Sequence, residues 1–196
     1  MKQVYKYLST KINHSKIKAT RFDIKLIIKD EIKRLGNDAD LNHIDVSQVT
    51  DLSDVFYYKE SFCGDISKWN VENCKKFDSM FYSCEKFNCD LSGWDVSNGI
   101  SFIGMFERCQ NFDSNLNDWK MQKAKFIDGM FRLCLKFNSP LDLWNTSNIE
   151  SMNQTFEGCD NFNQDISKWD VKKVYSHEFM FRDCPIDEDF KPIFID

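Results

Sequence analysis

The sequence predicts an α/β fold, a leucine-rich-repeat-like right-handed solenoid of about five to six 25-residue strand–short-helix coils with an N-terminal helical cap. The tryptophans share a 25-residue period, at Trp69, Trp94, Trp119, Trp144 and Trp169. Phenylalanine and cysteine follow the same period, in ladders that pass through Phe56, Phe62 and Cys84. A fixed period of this size is typical of repeat proteins, in which each unit buries its apolar face only against its neighbours.

Two hydrophobic patterns alternate within each period. Ile66, Trp69 and Val71 follow the L-x-x-L-x-L spacing of a leucine-rich-repeat strand, with one buried face. The next apolar residues have the i, i+3, i+4, i+7 spacing of one helical stripe, at Phe77, Met80, Phe81 and Cys84. Polar residues suited to N-caps precede this stripe in four copies, at Asp51, Ser101, Ser151 and Ser176. Each coil is therefore predicted to be a strand, a turn and a short helix.

The N-terminal domain is predicted to be a basic cap over residues 1–36, with a helix at about 20–35. Thr20 and Asp23 have capping-box spacing, and Gly36 is placed to end the helix. The apolar residues between them share one face, at Ile24, Ile27, Ile28, Ile32 and Leu35. The end of a stack exposes its core and needs a cap, so this helix is expected to cover the first coil.

The repeat domain is predicted to span residues 37–186, and residues 187–196 to form a C-terminal capping edge strand. The first coil has smaller apolar residues, Leu41, Ile44 and Val46, as a terminal unit against a cap would. At the other end, Phe194 stands in the tryptophan position. Pro192 lacks a hydrogen-bond donor, which suits an edge strand.

Charge is distributed unevenly along the chain. Residues 1–36 contain 10 Lys and Arg against 3 Asp and Glu, although the whole chain carries a net charge of −5. This basic head is the only candidate for contact with nucleic acid, which is otherwise not expected; a solvated helix face explains the same composition. The sequence has no run of 18 apolar residues and no secretory signal, so no membrane span is expected.

The eight cysteines are interpreted as structural thiols. Neighbouring helices pack about 8–10 Å apart, whereas a disulfide needs Cα atoms within about 7 Å. The chain has no C-x-x-C pair. Cys63, Cys74 and Cys89 lie outside the ladder and are predicted to be the more exposed thiols. Reduced thiols and the missing signal favour the cytoplasm or another reducing compartment.

Catalytic motifs are missing from the sequence, so we do not expect an enzyme, a cofactor or a bound metal. One polar ladder leaves two readings open. Its members begin the predicted strands, at Asp40, Asp65, Asp90, Asn115 and Asp165, and Pro140 interrupts it. Stacked carboxylates bind cations such as calcium, whereas single Asp and Asn side chains cap their own turns. Turn capping is the favoured interpretation, because calcium loops need several oxygen ligands per ion.

A second polar ladder marks the predicted binding face, on the concave side of the strands. Its candidate residues are Asp45, Lys68, Asn70, Asp95, Asp118, Lys120, Asn145, Lys168 and Asp170. Concave surfaces of repeat stacks are the usual binding sites. The predicted function is therefore a non-catalytic module for protein–protein interaction or adhesion, with a protein partner of unknown identity. The alternative is a structural subunit of a larger assembly, such as a virion or a cell-surface layer.

The repeat unit resembles a known family. Its fullest form is Phe162-Asn-Gln-Asp-Ile-Ser-Lys-Trp-Asp-Val171, and the likeness covers roughly residues 40–184. It is similar to the 25/26-residue repeat of the bacterial BspA-like leucine-rich-repeat surface proteins. The resemblance implies a leucine-rich-repeat-like stack and surface-exposed or adhesive roles. It implies no catalytic residue, since the shared motif is a core motif.

Overall fold

A computed structural model describes residues 16–194 of the chain. Strand β1 (Ile17–Lys18) pairs in parallel with β2 (Ile44–Asp45), helix α1 (Ile24–Leu35) lies between them in sequence, and a 3-10 helix spans Glu188–Phe190. These are the only helices and strands within the described range. The predicted α/β solenoid of strand–short-helix coils is therefore wrong: the repeats contain turns where the sequence predicts strands and helices.

Left-handed residues explain why the predicted helices do not form. Met80, Phe81 and Cys84 are buried, as the stripe predicts. However, Ser79 and Ser83 have φ angles of 52° and 56°, which a right-handed helix cannot contain. The backbone instead forms turns, in which an N–H donates to the carbonyl three residues earlier, as Met80 N–H does to the Phe77 carbonyl at 3.1 Å. Equivalent pairs of positive φ recur through the repeats, at residues 54 and 58, 104 and 108, 129 and 133, 154 and 158, and 179 and 183.

The predicted strands are turns as well. Trp69 N–H donates to the Ile66 carbonyl at 3.1 Å, and Cys74 N–H donates to the Val71 carbonyl at 2.8 Å. Such bonds reverse the chain within four residues, so this stretch does not extend into a strand. The alternation that predicted a strand still describes burial, because Trp69 and Val71 are both buried while Asn70 between them is exposed.

Six copies of the repeat, numbered here from the N-terminus, pack side by side. They cover residues 40–64, 65–89, 90–114, 115–139, 140–164 and 165–186. Each has a tryptophan segment (41–46, 66–71, 91–96, 116–121, 141–146, 166–171) and a methionine segment (51–59, 76–84, 101–109, 126–134, 151–159, 176–184). Single parallel bridges join methionine segments 25 residues apart, from Asp51–Lys76 through to Ser151–Ser176. The 25-residue period therefore sets which residues are neighbours in space.

Stacked aromatic rings fill the core between the copies. Trp69 and Trp94 stack with centroids 6.4 Å apart and rings inclined by 4°. In the next row, Phe81 and Phe106 lie 5.5 Å apart, and Phe81 also stacks on Phe87 at 4.1 Å. All five tryptophans are at least 95% buried. Buried aromatic pairs contribute dispersion and area burial together, which makes this core the main stabilising element.

Helix α1 agrees with the sequence prediction apart from its start and from Leu35, which is exposed rather than on the buried face. Ile24 and Ile28 are buried against the core, and Gly36 follows the last turn with φ 101°. The predicted capping box forms in part: Thr20 N–H donates to the Asp23 carboxylate at 2.6 Å. The Thr20 hydroxyl oxygen accepts from the N–H of Phe22 rather than of Asp23, and regular helix begins only at Ile24.

The C-terminal segment differs from the predicted edge strand. Residues 187–194 contain the short 3-10 helix and no strand, and positions 195–196 lie outside the described residues. Phe194 does not take a tryptophan position but stacks on His177, with ring centroids 3.8 Å apart. The Phe190 carbonyl accepts a hydrogen bond from Ile166 N–H at 3.0 Å. This segment therefore contacts the tryptophan segment of copy 6 and also, at His177, its methionine segment.

Candidate binding surface

The nine predicted binding residues lie on the solvent side of the tryptophan segments, called here the polar turn face. Seven are exposed, and Asp45 and Asp170 are half-buried. Because the segments are turns, the predicted concave strand face is not formed by strands. Six of the nine form a column with the 25-residue period, at positions 45, 70, 95, 120, 145 and 170. Most members of this column cap their own turn: the Asp95 carboxylate, for example, accepts from Ser97 N–H at 3.0 Å. Equivalent bonds to the residue two positions on are made by Asp45, Asn70, Asn145 and Asp170.

Lys120 breaks this column, since a lysine cannot accept the turn-capping hydrogen bond. It lies with Asp95 and Asp118 around a depression of about 220 Å³, which Gly93 and Trp94 also line. The depression thus gathers opposite charges from copies 3 and 4. Hydrogen bonding from Ser97 lowers the pKa of Asp95, and the nearby Lys120 ammonium lowers it further. The structure brings these three predicted residues together; it does not gather the other six into a pocket with them.

The ladder at the start of the repeats caps turns, as the sequence interpretation favours. The Asp65 carboxylate accepts from Ser67 N–H at 2.9 Å, and Asp90 accepts from Ser92 N–H at 2.9 Å. Asp40, Asn115 and Asp165 make the same bond. These hydrogen bonds hold the pKa of Asp65, Asp90 and Asp165 below the usual range for an aspartate. Within residues 16–194, no cluster of three or more His, Cys, Asp or Glu side chains has the arrangement of a metal site.

All eight cysteines lie in the described range and are free thiols. Ladder cysteines donate to a carbonyl of the preceding copy, as Cys109 does to Phe81 at 3.0 Å and Cys134 to Phe106 at 2.9 Å. Burial raises the pKa of both thiols well above the usual value. The prediction of more exposed thiols is right for Cys63 and for Cys89 and wrong for Cys74. Cys74 is buried, with a pKa raised by burial to about 12, and Cys89 is half-buried.

A second column, partly buried, escaped the sequence interpretation. It runs through the methionine segments from Tyr57 and Tyr82 to four charged residues of alternating sign, at Glu107, Arg132, Glu157 and Arg182. Arg132 bridges two copies, with nitrogen–oxygen distances of 2.7 Å to Glu107 and 3.0 Å to Glu157. Glu157 also pairs with Arg182. The signal was present in the sequence, one position after the Phe56 ladder, but became visible only when the copies were aligned side by side.

The basic head lies partly outside the described residues, which begin at residue 16. Arg21 pairs with Asp51 and Lys25 with Asp54, each at 3.2 Å, so the helix is tied to copy 1 by ion pairs. Arg34 pairs with Glu31, and this hydrogen bond lowers the Glu31 pKa. The described part of the head therefore uses several of its charges within the chain. No helix in this part of the structure has the length and apolar character needed to cross a membrane.

These features define a repeat protein whose stacked turns bury aromatic ladders and present polar columns to solvent. A family model described as "Mycoplasma protein of unknown function, DUF285" matches residues 28–141 and 122–190. The chain belongs to this family. Neither the curated proteins nor the solved structures contain a match to the chain.

Proposed function

We propose that the chain is a non-catalytic repeat module that binds another protein through the polar turn face. The observation that carries this proposal is the depression formed by Asp95, Asp118 and Lys120. Opposite charges from two copies meet there beside the rim of Trp94, with Gly93 leaving the backbone accessible. Charged groups at a protein interface orient and select the partner.

The resemblance of the repeat to BspA-like surface proteins also supports a binding role. The Phe162–Val171 unit resembles the repeat of BspA-like surface proteins, which supports an adhesive role on a surface. The turn-capping hydrogen bonds support it in a different way. Because the capped carboxylates are held in place by the backbone, a partner would meet a preorganised row of charges and would order few side chains on binding.

The binding experiment exchanges the charges at the depression without changing the net charge. The double variant Asp118→Lys/Lys120→Glu is used as bait beside the wild type, with extracts of the native host and quantitative mass spectrometry. Asp160→Lys serves as a surface control, because Asp160 is exposed and lies outside the polar turn face. We expect at least one partner to be captured by the wild type and the control but reduced about tenfold or more by the double variant, which corresponds to about 1.4 kcal/mol.

Equal recovery of every captured protein by the wild type and the double variant would contradict the proposal. A structural subunit of a larger assembly remains the second candidate function. It is favoured by the two ends of the stack, which carry more exposed apolar side chains than the middle copies and have backbone hydrogen-bonding groups without a partner among residues 16–194.

A further inference from the structure

The methionine segments give the stack a direction. In copy 2, the N–H groups of Phe77, Ser79, Phe81 and Ser83 each donate to a carbonyl of copy 3, at 2.7–2.9 Å. The acceptors lie 24 residues further on, at Ser101, Ile103, Met105 and Glu107. The same four bonds connect every copy from 1 to 5 with its successor. This row therefore presents only donors toward the C-terminal end and only carbonyl acceptors toward the N-terminal end.

The two ends of the stack carry complementary halves of this row. At copy 6, the equivalent N–H groups have no backbone acceptor among residues 16–194; they belong to His177, Phe179, Phe181 and Asp183. At copy 1, the equivalent carbonyls receive no backbone donor from the same residues; they belong to Asp51, Ser53, Val55 and Tyr57. Open rows of this kind are templates for pairing with another chain.

Exposed apolar side chains are concentrated at the same two ends. Of the eleven large hydrophobic residues that are exposed in the described range, only Ile103 and Leu143 lie in copies 2 to 5. The others lie in copy 1, in copy 6, or in the segments that flank them. Phe22 on the N-terminal side is 95% exposed, and Ile193 on the C-terminal side is 81% exposed. Exposed apolar residues grouped in this way mark contact surfaces.

The charges of the two ends are opposite. Residues 16–36 contain seven lysines and arginines against three acids, and Arg21 and Lys25 among them pair with Asp51 and Asp54 of copy 1. Residues 183–189 contain four acids and no basic residue, with Arg182 and Lys191 flanking them. A surface of one sign attracts its complement and disfavours its own kind. The N-terminal end is therefore suited to the C-terminal end of another copy and unsuited to a second N-terminal end.

We infer that the chain binds a second copy of itself head to tail, with the methionine segment of copy 6 placed against that of copy 1. The four open N–H groups then donate to the four open carbonyls with the same spacing that joins neighbouring copies within one chain. A depression of about 230 Å³ lies between helix α1 and the start of the copy 1 segment, lined by Ile24, Asp51, Ser53 and Asp54. It leaves space beside the acceptor row, and α1 contacts the start of the same segment through the Arg21–Asp51 and Lys25–Asp54 ion pairs.

Such a contact uses different surfaces on the two molecules, so each added chain offers a new free end. Heterologous contacts of this type extend into open filaments unless the rotation between subunits closes a ring. The inference goes beyond the proposed partner binding, because it uses the ends of the stack rather than the polar turn face.

The experiment blocks each end separately in the full chain. Phe179→Lys places a positive charge on the C-terminal end, and Leu26→Asp places a negative charge on the N-terminal end; both residues are exposed, so folding is expected to be retained. Leu143→Lys, in copy 5, is the matched control. Sedimentation velocity from micromolar to millimolar concentration measures association, and circular dichroism confirms folding.

The expected result is that the wild type and Leu143→Lys show a sedimentation coefficient that rises with concentration and falls again with added salt. Each end-blocked variant alone is expected to associate at least about tenfold more weakly. A mixture of the two is expected to form a 1:1 dimer at the concentrations where each variant alone is monomeric, because one intact end remains on each. A wild type that stays monomeric throughout, or blocked variants that associate as strongly as the control, would overturn the inference.

Discussion

The tryptophan and methionine segments are joined to the neighbouring copy by different kinds of hydrogen bond. In the methionine segments, four backbone N–H groups per copy donate to the next copy, so the link is independent of side-chain identity. In the tryptophan segments of copies 2 to 6, the regular link to the preceding copy is the indole. Trp94 Nε1 donates to the Ile66 carbonyl at 3.2 Å, and Trp119 Nε1 donates to the Leu91 carbonyl at 3.0 Å.

This difference accounts for where the sequence varies. The methionine position is occupied by Met80, Met105, Met130 and Met180 but also by Thr155, and the carbonyl of each accepts a hydrogen bond from the preceding copy. By contrast, Trp119, Trp144 and Trp169 each place an indole N–H 2.8–3.0 Å from a carbonyl 28 residues earlier. A segment joined through a side chain tolerates fewer replacements than one joined through its backbone.

The largest effect is expected when a tryptophan link is removed. Trp119→Ala deletes a side chain that is 98% buried and leaves the Leu91 carbonyl without its donor, so we expect a loss of about 3–5 kcal/mol in the free energy of unfolding. In the methionine segment, Met105→Leu conserves volume and keeps the backbone row, and should cost less than about 1.5 kcal/mol. Urea denaturation measures both. Equal losses would show that the two segments are held alike.

A smaller effect is expected at the left-handed positions of the methionine segment. Gly104 has φ 58°, and the nearest atom to an added Cβ is a flexible Glu107 oxygen at 3.3 Å. Gly104→Ala should therefore cost about 1–2 kcal/mol through backbone strain. The control is Gly93→Ala in the tryptophan segment, where an added Cβ meets nothing within 4 Å.

Thermal and urea denaturation of both glycine variants test this expectation. The control should change stability by no more than about 0.5 kcal/mol, because surface substitutions without special geometry have small effects. If Gly104→Ala were as stable as Gly93→Ala, the left-handed turn would not be required in the methionine segment.

Thiol labelling compares the methionine segments with the connections between segments, without changing their stability. Cys63 is exposed and should react first with Ellman's reagent in the native protein. Burial raises the pKa of Cys84 to about 12 and that of Cys89 to about 11, so less thiolate is available at either near neutral pH. Cys109 and Cys134 should react only after unfolding, when all eight thiols are available. Cys63→Ser should remove the fast phase; early labelling of Cys109 would show that the methionine segment opens locally.

Burial was predictable from the sequence, whereas backbone conformation was not. The period identified Trp69, Phe81 and Cys84 as core residues, and all three are buried. The i, i+3, i+4, i+7 spacing also fits consecutive turns, so periodicity alone did not separate them from a helix. The distinguishing signal was small: Gly104 and Gly129 occupy left-handed positions, and Ser79 occupies the same position in copy 2. Helix interiors disfavour both glycine and serine.

The candidate surface was predictable in part, for a related physical reason. Asp95, Asp118 and Lys120 are placed by the 25-residue period, which fixes neighbours in space once the copies stack side by side. The turn-capping role of Asp95 depends on a bond to Ser97 within one copy, which a predicted strand does not make. The open rows at the two ends were not visible because they follow from backbone direction rather than from side chains.

The alternating charges at Glu107, Arg132, Glu157 and Arg182 have a consequence for how the gene can change length. Loss of one 25-residue unit by unequal recombination would place Glu107 against Glu157, or Arg132 against Arg182, and like charges so placed are destabilising. Loss or gain of two units together would keep the alternation. In this part of the chain, viable length variants should therefore differ by multiples of 50 residues, which is two of the 25-residue periods.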